Sequence, residues 1–413
     1  MNKDIEKSLF PELRFPEFKN QNTWKSRKLS EILFEHRNKN TGKEEVFSVS
    51  VHKGIINQIE HLGRSYSGSN TNNYNLVLPG DLVYTKSPTG NFPYGIIKQS
   101  RQEKSVIVSP LYGVFTPETI DLGCILDAYF ESQSNTFNYL APIVQKGAKN
   151  TINIKNETFL SQSLNVPIDK KEQKKISDCL SSLDEVIKGQ NQKIDFLKGH
   201  KIGLMQSLFP INGELSPKLR FKEFDKDGNW KEKRLEEICD VNPSSKKLPK
   251  QFVYIDLESV ENGILLRKKI IPLDGAPSRA QRFLMDKDVI FQMVRPYQKN
   301  NYYYQTDDEF DYVASTGYAQ LRAYESSNFL FQYLHTPTFV DKVLAKCTGS
   351  NYPAINSSDL KVIKVIVPKI NEQQKIAECL SLLDNKIDAE TKRLEILKNH
   401  KIGLIQQLFS NVI

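Results

Sequence analysis

The residue types that usually do chemistry are present in this sequence but never gathered. The six histidines stand apart, and no Ser-His-Asp or Cys-His neighbourhood is formed. Asp256-Leu257-Glu258 lacks the following lysine that a metal-dependent nuclease would want, and is expected at a strand end. Asn91-Phe92-Pro93-Tyr94 resembles the Asn-Pro-Pro-Tyr loop with which amino-methyltransferases grip an exocyclic amine, but a tetrapeptide is a weak signal. No Gly-rich strand-to-helix loop accompanies it, so it reads as a turn. A Gly-x4-Gly-Lys-Ser/Thr phosphate loop is also missing. Cys124, Cys179, Cys239, Cys347 and Cys379 are scattered with no CxxC pair, which favours neither a disulfide framework nor a structural zinc. Catalytic, cofactor-binding and metal-ligating residues are therefore expected to be none.

What remains is a pool of cationic, amide and aromatic side chains in Gly- and Pro-bounded stretches. The first half supplies Lys53, Arg64, Tyr66, Lys86, and Lys146, Lys149 and Asn150 of a Gly-containing loop. The second supplies Arg267, Arg279, Arg282, Gln292, Arg295, Tyr297, and Asn351 and Tyr352 of another. These types suit double-stranded DNA: Arg or Lys addresses guanine and Asn or Gln addresses adenine. The backbone N–H groups of the glycine loops suit phosphate. Fifty-seven Lys and Arg against 49 Asp and Glu leave +8, an excess compatible with a polyanion but not proof of one. Taken singly, each cation reads as a solvated surface charge, and the run Tyr302-Tyr303-Tyr304 reads as half-buried strand. With 39% hydrophobic and 26% charged residues, the chain is no disordered polyelectrolyte. MNKDIEKSLFPELRF has no continuous apolar run and nothing later resembles a membrane span, so a cytoplasmic location without leader or anchor is expected.

The elements that must position this pool are written twice. Glu172 to Phe209 returns as Glu372 to Phe409 at an offset of 200, with 20 of 38 positions identical. SLFPELRFPEF…W…KLSEI (Ser8 to Ile32) returns as PKLRFKEF…W…RLEEI (Pro217 to Ile238). Between these markers lie stretches 35–165 and 240–366, which share only landmarks: LPGDLVY with MDKDVIF, and VSPLYGVF with VASTGYAQL. Ile176, Leu180, Leu183, Ile187, Ile194, Leu197, Leu204 and Leu208, with their repeats, keep the alternating spacing of a coiled-coil seam. Gln190, Lys201, Glu390 and Lys401 interrupt it equally in both copies, which predicts that the copies pair with each other. At about 1.5 Å per residue each helix should run roughly 57 Å. Pro167 and Pro368 mark the helix starts, and Gly203 and Gly403 are expected to allow close helix approach. Strands are expected at Val46 to Val51, Asp81 to Lys86, Lys104 to Ser109 and Phe252 to Leu257, with helices near Leu122 to Tyr139 and Ser326 to Leu344. The expected class is mixed α/β (α+β): two globular domains alternating with two long paired helices in a pseudo-two-fold repeat.

VPxxxxEQKKI (Val166 to Ile176), VPxxxEQQKI (Val367 to Ile376), the two KIGLxQxLF endings and the PELRFPEF and PKLRFKEF leads together resemble the specificity (S) subunit of type I restriction–modification systems. The resemblance covers essentially the whole chain. It implies target recognition domains at 35–165 and 240–366, within segments 1–165 and 211–366. Segments 166–210 and 367–413 would be an antiparallel coiled coil setting the spacer between half-sites. It also implies a noncatalytic subunit that reads a bipartite asymmetric DNA target and docks two methyltransferase (M) subunits and the restriction (R) subunits. Those partners would hold S-adenosylmethionine, ATP and magnesium, and this chain none. Partner contacts would then fall on apolar residues off the seam: Ile202, Met205, Phe209, Ile402, Ile405 and Phe409. The rival readings are a twin-module protein-interaction scaffold without DNA binding, and a self-sufficient methyltransferase.

Overall fold

Each long helix starts from a buried carboxylate, and the residues that bury it are those the sequence repeats. The computed structural model describes residues 11–65, 67–68, 70–146, 152–211, 213–244 and 247–409. The chain forms two compact units, Met1–Asn191 with Lys392–Ile413, and Gln192–Thr391. The helices Lys170–Leu208 and Ile370–Leu408, 39 residues each, contribute to both.

In the first unit Glu172 is fully buried in the first turn of its helix. It accepts Arg14 Nε at 2.7 Å, Arg14 Nη2 at 2.9 Å and Trp24 Nε1 at 3.0 Å, and the Thr23 hydroxyl as well. A carboxylate there also faces the positive end of the helix dipole. Next to it, Gln173 Nε2 donates to Pro167 O at 2.8 Å and Gln173 Oε1 accepts Thr119 Oγ1 at 2.6 Å. Strand Trp24–Lys28 pairs antiparallel with Ser163–Pro167, Trp24 opposite Pro167, so both ends of the variable stretch are tied beside the helix start.

The variable stretch builds a four-stranded antiparallel sheet in the order Leu33–Glu35, Gly113–Pro117, Leu82–Tyr84, Ile97–Gln99. Helices Ile120–Glu131 and Gln133–Leu140 follow it. One core holds Trp24, Phe115, Tyr129, Phe130 and Phe159 with Ile176 and Leu180 from the start of the first long helix. Ile405, Leu408 and Phe409, from the end of the second, complete it, so the two helices run antiparallel here. A smaller core around Val49, Ile55, Val83 and Val108 lies under the hairpin Phe47–Ser50/Gly54–Asn57.

The second unit repeats this plan with different furniture. Glu372 accepts Arg220 Nε at 2.8 Å, Arg220 Nη2 at 2.7 Å and Trp230 Nε1 at 3.2 Å. Lys231–Arg234 pairs antiparallel with Lys364–Val367. The sheet order Cys239–Val241, Tyr318–Ala323, Val289–Gln292, Tyr302–Tyr303 matches that of the first unit. A second four-stranded sheet, Ile270–Pro272, Gln251–Ile255, Tyr312–Ser315, Ala280–Phe283, is added, with one parallel pair inside it. Met205, Leu208 and Phe209 from the end of the first helix share a core with Ile376, Ala377 and Leu380 from the start of the second.

The landmark aspartates explain why DLVY and DVIF persist. Asp81 Oδ2 accepts Leu78 N at 2.7 Å and Asp81 Oδ1 accepts Thr116 Oγ1 at 2.7 Å. Asp288 accepts Met285 N at 2.8 Å, Gln320 Nε2 at 2.7 Å and Arg322 Nε at 2.8 Å. Each closes the turn before its strand and ties it to the neighbouring strand.

Several expectations are corrected. The pattern near Leu122 to Tyr139 is two helices, because Ser132 is extended and caps the second through Asn135 N. The pattern near Ser326 to Leu344 also breaks, at Thr336, which caps Phe339 N with Pro337 in the first helical turn. A Cβ added at Gly203 or Gly403 would meet nothing within 4 Å, so close helix approach is not their use. The copies do pair with each other, as the interrupting residues predict: Lys201 Nζ meets Asp384 Oδ1 at 2.6 Å, and Lys401 Nζ meets Asp184 Oδ1 at 2.6 Å. Antiparallel pairing sets each lysine against the other helix's aspartate. Among the described residues no helix is long and apolar enough to cross a membrane.

Candidate nucleic-acid interface

In the second unit, short backbone links bring several of the cationic and aromatic candidates onto one rim. Thr316 N donates to Arg279 O at 2.8 Å, and Met293 N donates to Gly317 O at 3.0 Å, so strand ends Arg279 and Met293 meet the same turn. Arg295 N donates to Pro353 O at 2.7 Å and Ile355 N to Met293 O at 3.1 Å, which docks the loop 348–354 alongside. That loop is closed by Thr348 N to Ala354 O at 2.9 Å and Ala354 N to Thr348 O at 3.0 Å. Gly349 has φ +89°, and a Cβ on it would stand 3.1 Å from Tyr352 O, so glycine is required there. Arg295 takes a left-handed backbone conformation, φ 54°, and its guanidinium lies 4.2 Å from the centroid of the Tyr352 ring. Tyr297 and Tyr352 are 49% and 63% exposed, and Asn351 is exposed as well.

The other second-half candidates fare differently. Arg267 is exposed in the connection between Ile264–Leu265 and Ile270–Pro272, and no described hydrogen bond joins it to this rim. Arg282 lies just beyond a β-bulge in Ala280–Phe283, half-buried, with its Nε unpartnered among the described residues; burial pulls its pKa down. Gln292 is a correction. It is buried at 2% exposure, Nε2 donating to Gln298 Oε1 at 2.9 Å and Oε1 accepting Asn300 N at 3.1 Å. Its strand, Val289–Gln292, is buried at every position, and the amide shapes the Pro296–Asn300 turn instead of meeting a ligand. Tyr304 is core and Tyr302–Tyr303 form a half-buried strand, as their residue types predict.

The first unit gathers its candidates less. Lys53 is exposed in the turn of the hairpin Phe47–Ser50/Gly54–Asn57, and Arg64 is exposed just after the helix Gln58–Leu62. Lys86, left-handed with φ 58°, follows Leu82–Tyr84 much as Arg295 follows Val289–Gln292. It is half-buried, and burial lowers its pKa while Glu35 counteracts. Lys146 belongs to the short strand Gln145–Lys146, paired with Ile152–Asn153. Tyr66, Lys149 and Asn150 lie outside the described residues.

Of the apolar docking candidates, only Ile202 and Ile402 are exposed, at 57% and 53%. Met205, Phe209, Ile405 and Phe409 are 4–8% exposed and belong to the domain cores, which corrects their reading as partner surface. Phe209 packs on Phe329 and Tyr333 with centroids 5.6 and 5.7 Å away, and Phe409 on Tyr129 at 5.2 Å. They lie off the helical seam and are buried because the globular domain covers that flank.

The residues that sequence reasoning passed over are Arg14, Trp24 and Glu172 with their counterparts Arg220, Trp230 and Glu372. Their signal was in plain sight, since each stands in a segment the chain repeats.

A sequence model of the Type I restriction modification DNA specificity domain matches residues 21–198 and again 227–399. The chain belongs to this family. It is similar to the type I restriction enzyme MjaVIII specificity subunit of Methanocaldococcus jannaschii, 24% identical over 275 residues, 61% of this chain and 63% of that one. The HindI specificity subunit of Haemophilus influenzae is 25% identical over 44% of this chain and 41% of its own. The matches thus span less than two thirds of these relatives. Among solved structures, an S subunit from M. genitalium superposes with a TM-score of 0.58 at 16% identity, covering 97% of this chain and 99% of that one. That likeness extends the shared fold across both duplicated halves.

Proposed function

We propose that this chain is the noncatalytic DNA-recognition subunit of a type I restriction–modification complex. Each variable domain reads one half of a bipartite, asymmetric target. The observation that carries this reading is the contrast between copied mount and uncopied rim. The Arg–Glu–Trp clamp, strand pair and helix start recur in both units, whereas the exposed basic and aromatic residues differ. Identical mounts suit two equivalent methyltransferase subunits, and unlike rims suit unlike half-sites. Methylation and cleavage then fall to M and R subunits, which bring S-adenosylmethionine, ATP and magnesium; the place of work is the cytoplasm.

Replacing residues 35–165 by the corresponding stretch of another family member, then mapping methylated adenines in cells, tests this. The expected outcome is a change in one half-site with the other half kept. A change in both halves, or adenine methylation indifferent to the swap, overturns it.

A further inference from the structure

We propose that Arg295 and Tyr352 form a preassembled guanine reader, so that the half-site read by the second domain contains a guanine whose recognition depends on this pair. The inference rests on the DNA-recognition role proposed above and adds the base and the residues.

The physical case begins with the guanidinium plane. At 4.2 Å from the Tyr352 centroid, the Arg295 group is held against a ring that is itself 63% exposed. A guanidinium resting over a ring turns one side to it and keeps N–H donors for another partner. Among the described residues no hydrogen bond or ion pair uses those donors. A planar pair of parallel donors matches two chemistries in DNA, the O6 and N7 edge of guanine and the two oxygens of a phosphate.

The backbone favours guanine. Arg295 holds a left-handed conformation that a residue with a Cβ adopts at a cost, locked by its N–H bond to Pro353 O. The Tyr352 side is fixed equally, by the Thr348–Ala354 closure and by Gly349 at φ +89°. A phosphate contact rewards the planar fork too, but a mobile lysine acting as a point charge can also supply it. A base edge is read only by donors set in direction, which is what this strain and stacking supply. In the first unit the left-handed cation after the corresponding strand is Lys86, half-buried, which cannot stack or bind bidentately in the same way.

The test uses the full chain assembled with its methyltransferase subunits on a plasmid library with randomised target sites, read out by sequencing methylated adenines. For Arg295→Gln and Tyr352→Ala, the preference for guanine at one position of the second half-site should fall by about 5- to 150-fold. The first half-site, in the same molecules, should stay unchanged. Arg295→Lys keeps charge and stem but loses the fork, and should relax the same position; it also serves if the glutamine variant fails to assemble. Tyr352→Phe keeps the stack and should read nearly as the wild type does. Uniform weakening across all sequences, with base preferences intact and the log–log salt slope reduced by about 0.9, would mean a phosphate contact and overturn the proposal. So would variants indistinguishable from wild type. A wild-type complex with no bipartite preference at all would instead sink the proposed function itself.

Discussion

Replacing Glu172 by alanine tests the account of how the first variable domain is mounted. The carboxylate is fully buried and Arg14 is 6% exposed. Removing the carboxylate strands a buried guanidinium that has lost both fork bonds, together with the indole N–H of Trp24. Breaking one side of a buried pair costs about 3–5 kcal/mol, chiefly the unpaired charge left behind. The Arg220–Glu372 pair is slightly wetter, with Arg220 13% exposed, so Glu372→Ala should fall toward the lower end of that range. The chain supplies its own probes. It has two tryptophans, and each donates to one of the clamp carboxylates. Urea unfolding followed by fluorescence in a Trp230→Phe background reports the first unit, and in a Trp24→Phe background the second. Glu172→Ala should shift the Trp24 transition. The double variant Arg14→Met/Glu172→Ala should be less destabilised than the sum of its singles, by a coupling of about 1–3 kcal/mol. A single variant within about 0.5 kcal/mol of wild type, or strictly additive singles, would refute the clamp as the mount.

Three further outcomes are expected. Lys401→Met should destabilise the first unit more than Lys201→Met destabilises the second, about 1–3 kcal/mol for the former. The reason is that the Lys401 side chain is 10% exposed, with Nζ between Asp184 and Glu131, both at 2.6 Å, while that of Lys201 is 18% exposed on Asp384; denaturant curves decide it. His335 is pushed down to about 4 by burial first and then by Lys201 and Lys299, its Nδ1–H donating to Phe331 O at 2.7 Å. It is therefore neutral when folded. The unfolded chain takes the proton first, so stability should fall as pH drops from about 6.5 toward 4, by up to about 3 kcal/mol. In His335→Asn that acid slope should flatten, and a slope unchanged by the substitution would contradict the assignment. Gly349→Ala places a Cβ 3.1 Å from Tyr352 O at φ +89°, costing the loop about 1–2 kcal/mol. Methylation mapping should show relaxed reading of the second half-site alone.

The sequence by itself determined the duplication, the two long helices, the sheet landmarks and the family likeness. Each of these is a local or periodic signal: a heptad needs only its own spacing, and a repeat needs only itself. Tertiary structure decided which repeated residues are glue and which are surface. Met205, Phe209, Ile405 and Phe409 lie off the seam and read as free, yet a domain packs over that flank of each helix and buries them. Gln292 read as an adenine contact, but its strand is paired on both sides and buried at every position. Lys201 and Lys401 stand at equal places in two copies, yet antiparallel pairing sends each to the other helix's aspartate. Arg14 and Glu172, 158 residues apart, meet only when strand Trp24–Lys28 pairs with Ser163–Pro167 at the helix start. Spacing tells which face of an element is apolar or charged. What covers that face depends on contacts between residues distant in the chain, and these exist only once it has folded.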